Sequence, residues 1–338
     1  MFSFPSDPGP GPLHGNPILH TVPGMRHALV EGFLAGLGMS AKLLFVLIPA
    51  AAVVFLLQQL GLLAPVARLL QPVMARAGLP GEAGLVFATA ALLNIYPAIA
   101  MLVTLEFTVQ ETTVIALMIL ICHSLIVECS VQARAGSNPL RMAILRITAA
   151  LVAGFLAGRM YRLPGGGSAA GAIAPAAVNV NEAADGFVVE LIVWLQSTSA
   201  TVLVMVTIVT GMMVLQKLLE VTGILNRISS AFEPVVAVFG LPRSTAFLWL
   251  VGNTLGLTYG SAILIQEREK NTMTREDIDA LNHHLAVSHS LIEDTLLFVA
   301  LGAAAAVLVI PRLVLAAVVV WLLRAFSRQD RPEQPREY

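Results

Sequence analysis

The chain has 338 residues, of which 57% are hydrophobic and 12% charged, and its net charge is −1. Soluble domains carry about 25% charged residues, so this composition indicates an integral membrane protein. No basic cluster or nucleic-acid-binding signature occurs, which excludes nucleic acid as a partner. The two cysteines, Cys122 and Cys129, lie in one apolar segment and suit neither a disulfide framework nor a zinc ribbon.

The first half of the chain predicts a tail, a span and a surface helix. Residues 1–25 are rich in proline and glycine, so we expect a disordered tail. Residues 26–63 contain a long apolar run that reaches the ~20 residues needed for a transmembrane helix. Residues 65–77 place basic side chains opposite apolar ones, which is typical of a helix lying in the membrane interface.

The next segment, residues 82–105, is apolar but interrupted at its centre. Asn94 adds polarity there, and Pro97 removes a backbone donor, so we expect the helix to break. Residues 112–132 and 140–160 then predict two further spans. Residues 26–163 therefore form the first of two predicted domains.

A linker rich in glycine, alanine and serine, residues 164–184, precedes a second domain over residues 185–326 and a basic tail over residues 327–338. The second domain repeats the first. Gly78-Leu79-Pro80 recurs as Gly240-Leu241-Pro242, and His123-Ser124-Leu125-Ile126 recurs as His289-Ser290-Leu291-Ile292. The two offsets, 162 and 166 residues, are nearly equal and indicate an internal duplication with about four residues gained in the second copy.

The distribution of lysine and arginine distinguishes two membrane topologies. If every apolar segment crosses, the 20 basic residues divide almost evenly between the two sides. If the broken segments instead turn back as re-entrant hairpins, only Arg68, Arg76, Arg159, Arg162 and Arg312 lie opposite the termini. The second arrangement follows the positive-inside rule. We therefore expect two inverted repeats, each with an interfacial helix, a broken re-entrant hairpin and about three spans, and cytoplasmic termini.

The polar residues inside apolar segments are the candidate site. Treated as a continuous helix, each repeat places a serine and a carboxylate four residues apart on one face, with the histidine about 100° away. Charged side chains in a span normally face a cavity or a partner. The candidates at the two repeated motifs are His123, Ser124, Glu128, His289, Ser290, Glu293 and Asp294. The candidates at the broken segments are Asn94, Tyr96, Asn253, Thr254 and Tyr259.

Other chemistries are less well supported by the sequence. There is no phosphate-binding loop, no zinc-protease motif and no nucleophile elbow, so we expect no enzyme activity. Cys122, His123, Glu128 and Cys129 could ligate a transition metal, but the second half has no cysteine, and we assign neither a metal nor a cofactor. Helix packing by polar clusters is the alternative to a solute or ion site.

The sequence resembles the nucleoside-recognition, or Gate, domain in three features. These are the repeated Gly-Leu-Pro after an interfacial helix, the broken segment with Asn94, and the His-Ser-Leu-Ile motifs. This domain is shared by concentrative nucleoside transporters, the permease part of ferrous iron transporter B and the spore maturation membrane proteins. The resemblance covers roughly residues 26–160 and 185–323 as two fused copies. It implies that solute lies between the hairpin tips and the polar stretch of the following helices.

On this basis we expect a secondary transporter of a small polar solute, such as a nucleoside or related metabolite, coupled to H⁺ or Na⁺. A non-transporting structural or regulatory module of a larger assembly is one alternative, and a divalent metal (ferrous iron) permease is another. The expected location is a bacterial cytoplasmic membrane. The expected partners are the lipid bilayer and the solute, and a homo-oligomer is compatible with the sequence.

Overall fold

The computed structural model describes residues 24–105, 107–161, 186–256 and 273–329, and these ranges are helical with no strand. The helices of the first half are α1 (Met25–Gln59), α2 (Leu63–Met74), α3 (Glu82–Leu92), α4 (Ile95–Thr104), α5 (Val109–Cys122), α6 (Leu125–Arg134) and α7 (Pro139–Tyr161). Those of the second half are α8 (Gly186–Thr222), α9 (Ile224–Val238), α10 (Ala246–Thr254), α11 (Arg275–Ser288), α12 (Glu293–Ala300) and α13 (Ala305–Gln329). The predicted all-α membrane class is confirmed, because five stretches within these ranges are long and apolar enough to cross a bilayer.

The second half repeats the order of elements of the first half as far as it is described. Each begins with a helix of at least 35 residues, continues with a short amphipathic helix and a 3₁₀ turn, and ends with a long helix. The counterpart of α4 would lie in residues 257–272, outside the described ranges, as do most of the N-terminal tail and the linker. The inverted orientation of the halves stays a prediction.

The predicted break in the first hairpin is present between α3 and α4. Asn94 begins α4 as its N-cap, and its side-chain oxygen accepts a hydrogen bond from the Tyr96 amide at 2.9 Å. The two helices fold back on each other, since the Thr89 hydroxyl lies 3.1 Å from the Met101 sulfur. A continuous helix would place residues twelve apart at ~18 Å. The segment is therefore a helical hairpin.

The long helices α1 and α8 pack closely along a row of small residues. Gly32 and Gly36 are four apart on α1, and a Cβ atom at Gly36 would come within 2.6 Å of the Thr210 backbone. At Gly32 the corresponding distance to the Val214 backbone is 2.7 Å. Small residues at this spacing let helix backbones approach in a membrane, where van der Waals packing drives association.

The centre of the molecule is formed by α5 and α11, which contact each other and each other's long neighbours. All residues from 112 to 123 are buried, and so are those from 280 to 290. The outer helices instead expose large apolar side chains, such as Phe45 at 84% and Leu203 at 69%. Large apolar side chains on the outer surface suit a lipid environment. The repeated motifs lie in the buried core.

Candidate functional site

Both His-Ser-Leu-Ile motifs lie at interruptions between helices. The first motif falls between Cys122, where α5 ends, and Leu125, where α6 begins. The second falls between Ser288, the end of α11, and Glu293, the start of α12. The prediction that each motif lies on one continuous helix was wrong, because Ser124 is the left-handed N-cap of α6 and the chain from His289 to Ile292 separates α11 from α12. The expected 100° separation of the histidines from these pairs was wrong for the same reason.

The interruptions are held by the same two devices in each half. Ser124 and Ser290 have φ angles of 49° and 51°, and among the described residues they are the non-glycine residues in the left-handed region. That conformation costs ~1–2 kcal/mol. It is compensated by hydrogen bonds from the Ser124 amide to the Ala90 carbonyl at 2.8 Å and from the Ser290 amide to Gly252 at 3.2 Å. The ends of α3 and α10 thus fix the two breaks.

Two histidines and two carboxylates meet where the breaks converge. The His123 Nδ1 atom lies 3.1 Å from Glu128 Oε1, and the His289 Nε2 atom lies 3.2 Å from the same oxygen. The His123 Nε2 atom lies 3.4 Å from Asp294 Oδ2, and the two rings are 5.1 Å apart. Each histidine therefore contacts the carboxylate of the opposite half. All four residues are at most 8% exposed. We call these four residues the central cluster.

Two arginines, which the sequence reasoning missed, complete the site. Arg146 on α7 forms an ion pair with Glu128, and its Nε donates to the Ile121 carbonyl at 2.9 Å. Its counterpart Arg312 on α13 donates from Nε to the Val287 carbonyl at 3.2 Å and from Nη2 to the His289 carbonyl. Both side chains are completely buried. They satisfy carbonyls that the helix interruptions leave without intrahelical partners.

A signal for these arginines was present in the sequence. Arg146 and Arg312 are 166 positions apart, which is the spacing of the two histidines. The charge count assigned Arg312 to the side opposite the termini and Arg146, which lies within or near a span, to the side of the termini. Removing both from that count leaves the imbalance between the two sides in place, so the topology prediction does not depend on them.

The other candidate residues surround the central cluster or lie apart from it. Tyr96 lies at the hairpin tip, in the first turn of α4, and is partly buried. Asn253 and Thr254 bond back to their own helix, through Asn253 Nδ2 to Trp249 and Thr254 Oγ1 to Leu250. Glu293 is the first residue of α12 and is partly exposed. Tyr259 lies outside the described residues.

The fold and the central cluster define a class: a multi-pass α-helical membrane protein whose interior carries paired ionisable groups at helix breaks. The family description "Nucleoside recognition", named Gate, matches residues 202–310, which include the second break. The uncharacterized membrane protein YvoD of Bacillus subtilis (strain 168) is 30% identical over 280 residues, covering 82% of this chain and 88% of YvoD. No solved structure matches the chain significantly. The chain belongs to this family of Gate-domain membrane proteins.

Proposed function

We propose that this chain is a secondary transporter of a small polar solute, a nucleoside or related metabolite, and that the central cluster lies in its solute path. The proposal includes a bacterial cytoplasmic membrane, cytoplasmic termini and no enzyme activity. It also includes coupling to H⁺ or Na⁺ through the carboxylates Glu128, Glu293 and Asp294. The supporting observation is the crossed pairing of histidine and carboxylate between the two helix breaks.

Energetics favour a functional reason for this cluster over a packing reason. Each charged side chain at the centre of a span costs ~2.5–3.5 kcal/mol on insertion scales. Replacing a buried ion pair by apolar residues of similar volume is often neutral or stabilising, so packing alone does not require Glu128 and Arg146. Broken helices that meet near the midplane are the usual place for solute and coupling-ion sites in secondary transporters. The location of the cluster between two such breaks fits that architecture.

Uptake into proteoliposomes tests the proposal. Purified chain is reconstituted and screened with labelled nucleosides, nucleobases and small carboxylates under an imposed H⁺ or Na⁺ gradient. We expect gradient-dependent uptake of at least one solute, which Glu128→Gln and Asp294→Asn each reduce at least tenfold. Glu31→Gln is the control, because that acid lies on α1 with a side chain that is 45% exposed. Absence of uptake for every solute, or full uptake by both cluster variants, would overturn the proposal.

A second function is favoured by the closed packing of the site. Every member of the central cluster contacts another member, and none is more than 8% exposed. A structural or regulatory module needs such a core and needs no solute path. Under this alternative, Glu128→Gln lowers thermal stability in detergent, while no solute crosses the membrane with either the wild-type or the variant protein.

A further inference from the structure

We infer that His123, Glu128 and His289 form a binding site for one divalent first-row transition-metal ion. The inference is independent of transport, because it rests on the positions of three ligand atoms. His123 Nδ1, Glu128 Oε1 and His289 Nε2 all lie within 4.8 Å of one another in a buried location. The cysteines that the sequence suggested as ligands are not part of this group.

The ring nitrogen of His289 that faces Glu128 is the one left free by the other contact of that ring. His289 Nδ1 lies 2.8 Å from the Leu285 carbonyl oxygen, and only an N–H group makes that contact favourable. A neutral His289 therefore turns the lone pair of Nε2 towards Glu128. The His123 Nδ1 atom also faces Glu128, and its Nε2 atom lies 3.4 Å from Asp294 Oδ2 without a hydrogen bond between them. Two ring nitrogens and one carboxylate oxygen thus converge.

These outer contacts are the ones that metal-bound histidines make in proteins. A ligating histidine usually donates its second N–H to a backbone carbonyl or a carboxylate, which fixes the ring and its tautomer. Here the Leu285 carbonyl plays that part for His289, and the Asp294 carboxylate lies 3.4 Å from His123 Nε2. Arg146 pairs with the other carboxylate oxygen of Glu128, so Oε1 remains available as a single ligand atom.

Two of the three separations between the ligand atoms also suit a metal. A tetrahedral ion with bonds of ~2.0–2.1 Å separates its ligand atoms by about 3.3 Å. The observed nitrogen-to-oxygen separations are 3.1 and 3.2 Å. The Ser124 hydroxyl oxygen lies 3.4 Å from His123 Nδ1. Two imidazoles and one carboxylate select Zn²⁺, Fe²⁺ or Co²⁺ over Mg²⁺ and Ca²⁺, which prefer oxygen ligands.

Calorimetry and absorption spectroscopy with Co²⁺ test the site. Full-length chain, purified in detergent with its affinity tag removed, is titrated with Co²⁺, Zn²⁺ and Mg²⁺. We expect one Co²⁺ or Zn²⁺ per chain, no Mg²⁺ binding, and a Co²⁺ spectrum without a thiolate band. His123→Gln, His289→Gln or Glu128→Gln should weaken binding by at least ~100-fold, since loss of an outer contact already costs ~10–100-fold. Asp294→Asn should weaken metal binding by ~10–100-fold.

Two controls separate this site from others. His27→Gln changes an exposed histidine on α1, and the Cys122→Ala/Cys129→Ala double variant removes both thiols; each should leave binding unchanged. Size-exclusion profiles and thermal unfolding identify the folded variants. If Glu128→Gln misfolds, His289→Gln still tests the site, because it leaves the ion pair between Arg146 and Glu128 intact. No binding by folded wild-type chain, or binding that survives all three ligand variants, would overturn the inference. Such a result would not affect the solute uptake measured with the same protein, so the metal-site inference and the transport proposal can fail independently.

Discussion

The ion pair between Arg146 and Glu128 gives the sharpest test of how the site is held. Removing one partner of a buried pair leaves an uncompensated charge and costs ~3–5 kcal/mol. The Arg146 side chain is 0% exposed and that of Glu128 is 11%, so this estimate applies to both. We expect Arg146→Met and Glu128→Gln each to destabilise the protein by about that amount. We expect the double variant to be less destabilised than the sum, because neither charge remains.

Reversible unfolding in mixed micelles measures all three variants, and the double-mutant cycle should return a coupling energy of at least ~1 kcal/mol. Arg141→Met is the matched control, because Arg141 lies on the same helix and pairs with Asp279 at 2.5 Å while its side chain is 49% exposed. An exposed pair contributes ~0–1 kcal/mol. Additive effects at Arg146 and Glu128, or equal costs for Arg146→Met and Arg141→Met, would contradict the structural reasoning.

Three further predictions follow from the breaks and the repeat. Ser124→Gly should be more stable than Ser124→Ala by ~1 kcal/mol in thermal or micelle unfolding, because glycine adopts the left-handed conformation without a Cβ clash; equal stability would argue against strain at this position. Asn94→Ala should cost ~0.5–2 kcal/mol through the lost N-cap, whereas Asn94→Asp should keep most of the stability. Single cysteines at Gln71 and Ser230 should react with an impermeant reagent from opposite faces of the membrane, and labelling from one face would refute inversion.

Much of the architecture could be predicted because it depends on composition and on residues that interrupt a helix. The apolar spans follow from segment length, and the hairpin at Asn94 follows from an N-cap residue three positions before Pro97. The breaks at His123 and His289 could not be predicted in this way. Neither motif contains glycine or proline, and the left-handed serines are stabilised by carbonyls of Ala90 and Gly252, which come from distant helices.

The composition of the site was predicted better than its geometry. The acids and histidines stood out because they are costly in a span, and the crossed contacts between halves required the tertiary fold. Arg146 and Arg312 were missed because a long side chain near the end of a span is normally drawn to the membrane surface. Here the interrupted helices offer free carbonyls at the core, and the guanidinium groups bind to those instead. The spacing of the repeat was the only sequence signal for them.

The crossed pairing has a consequence for how such a protein could arise. Among the described residues, the contact that Asp294 makes with a ring comes from His123 of the other half. A chain carrying only the second half would bury that carboxylate without its imidazole, and a chain carrying only the first would leave Glu128 without His289. Either half alone would therefore need a second subunit to complete the centre. Carrying both halves in one chain makes these contacts intramolecular, so the two acidic positions need not be identical, and they are glutamate in Glu128 and aspartate in Asp294.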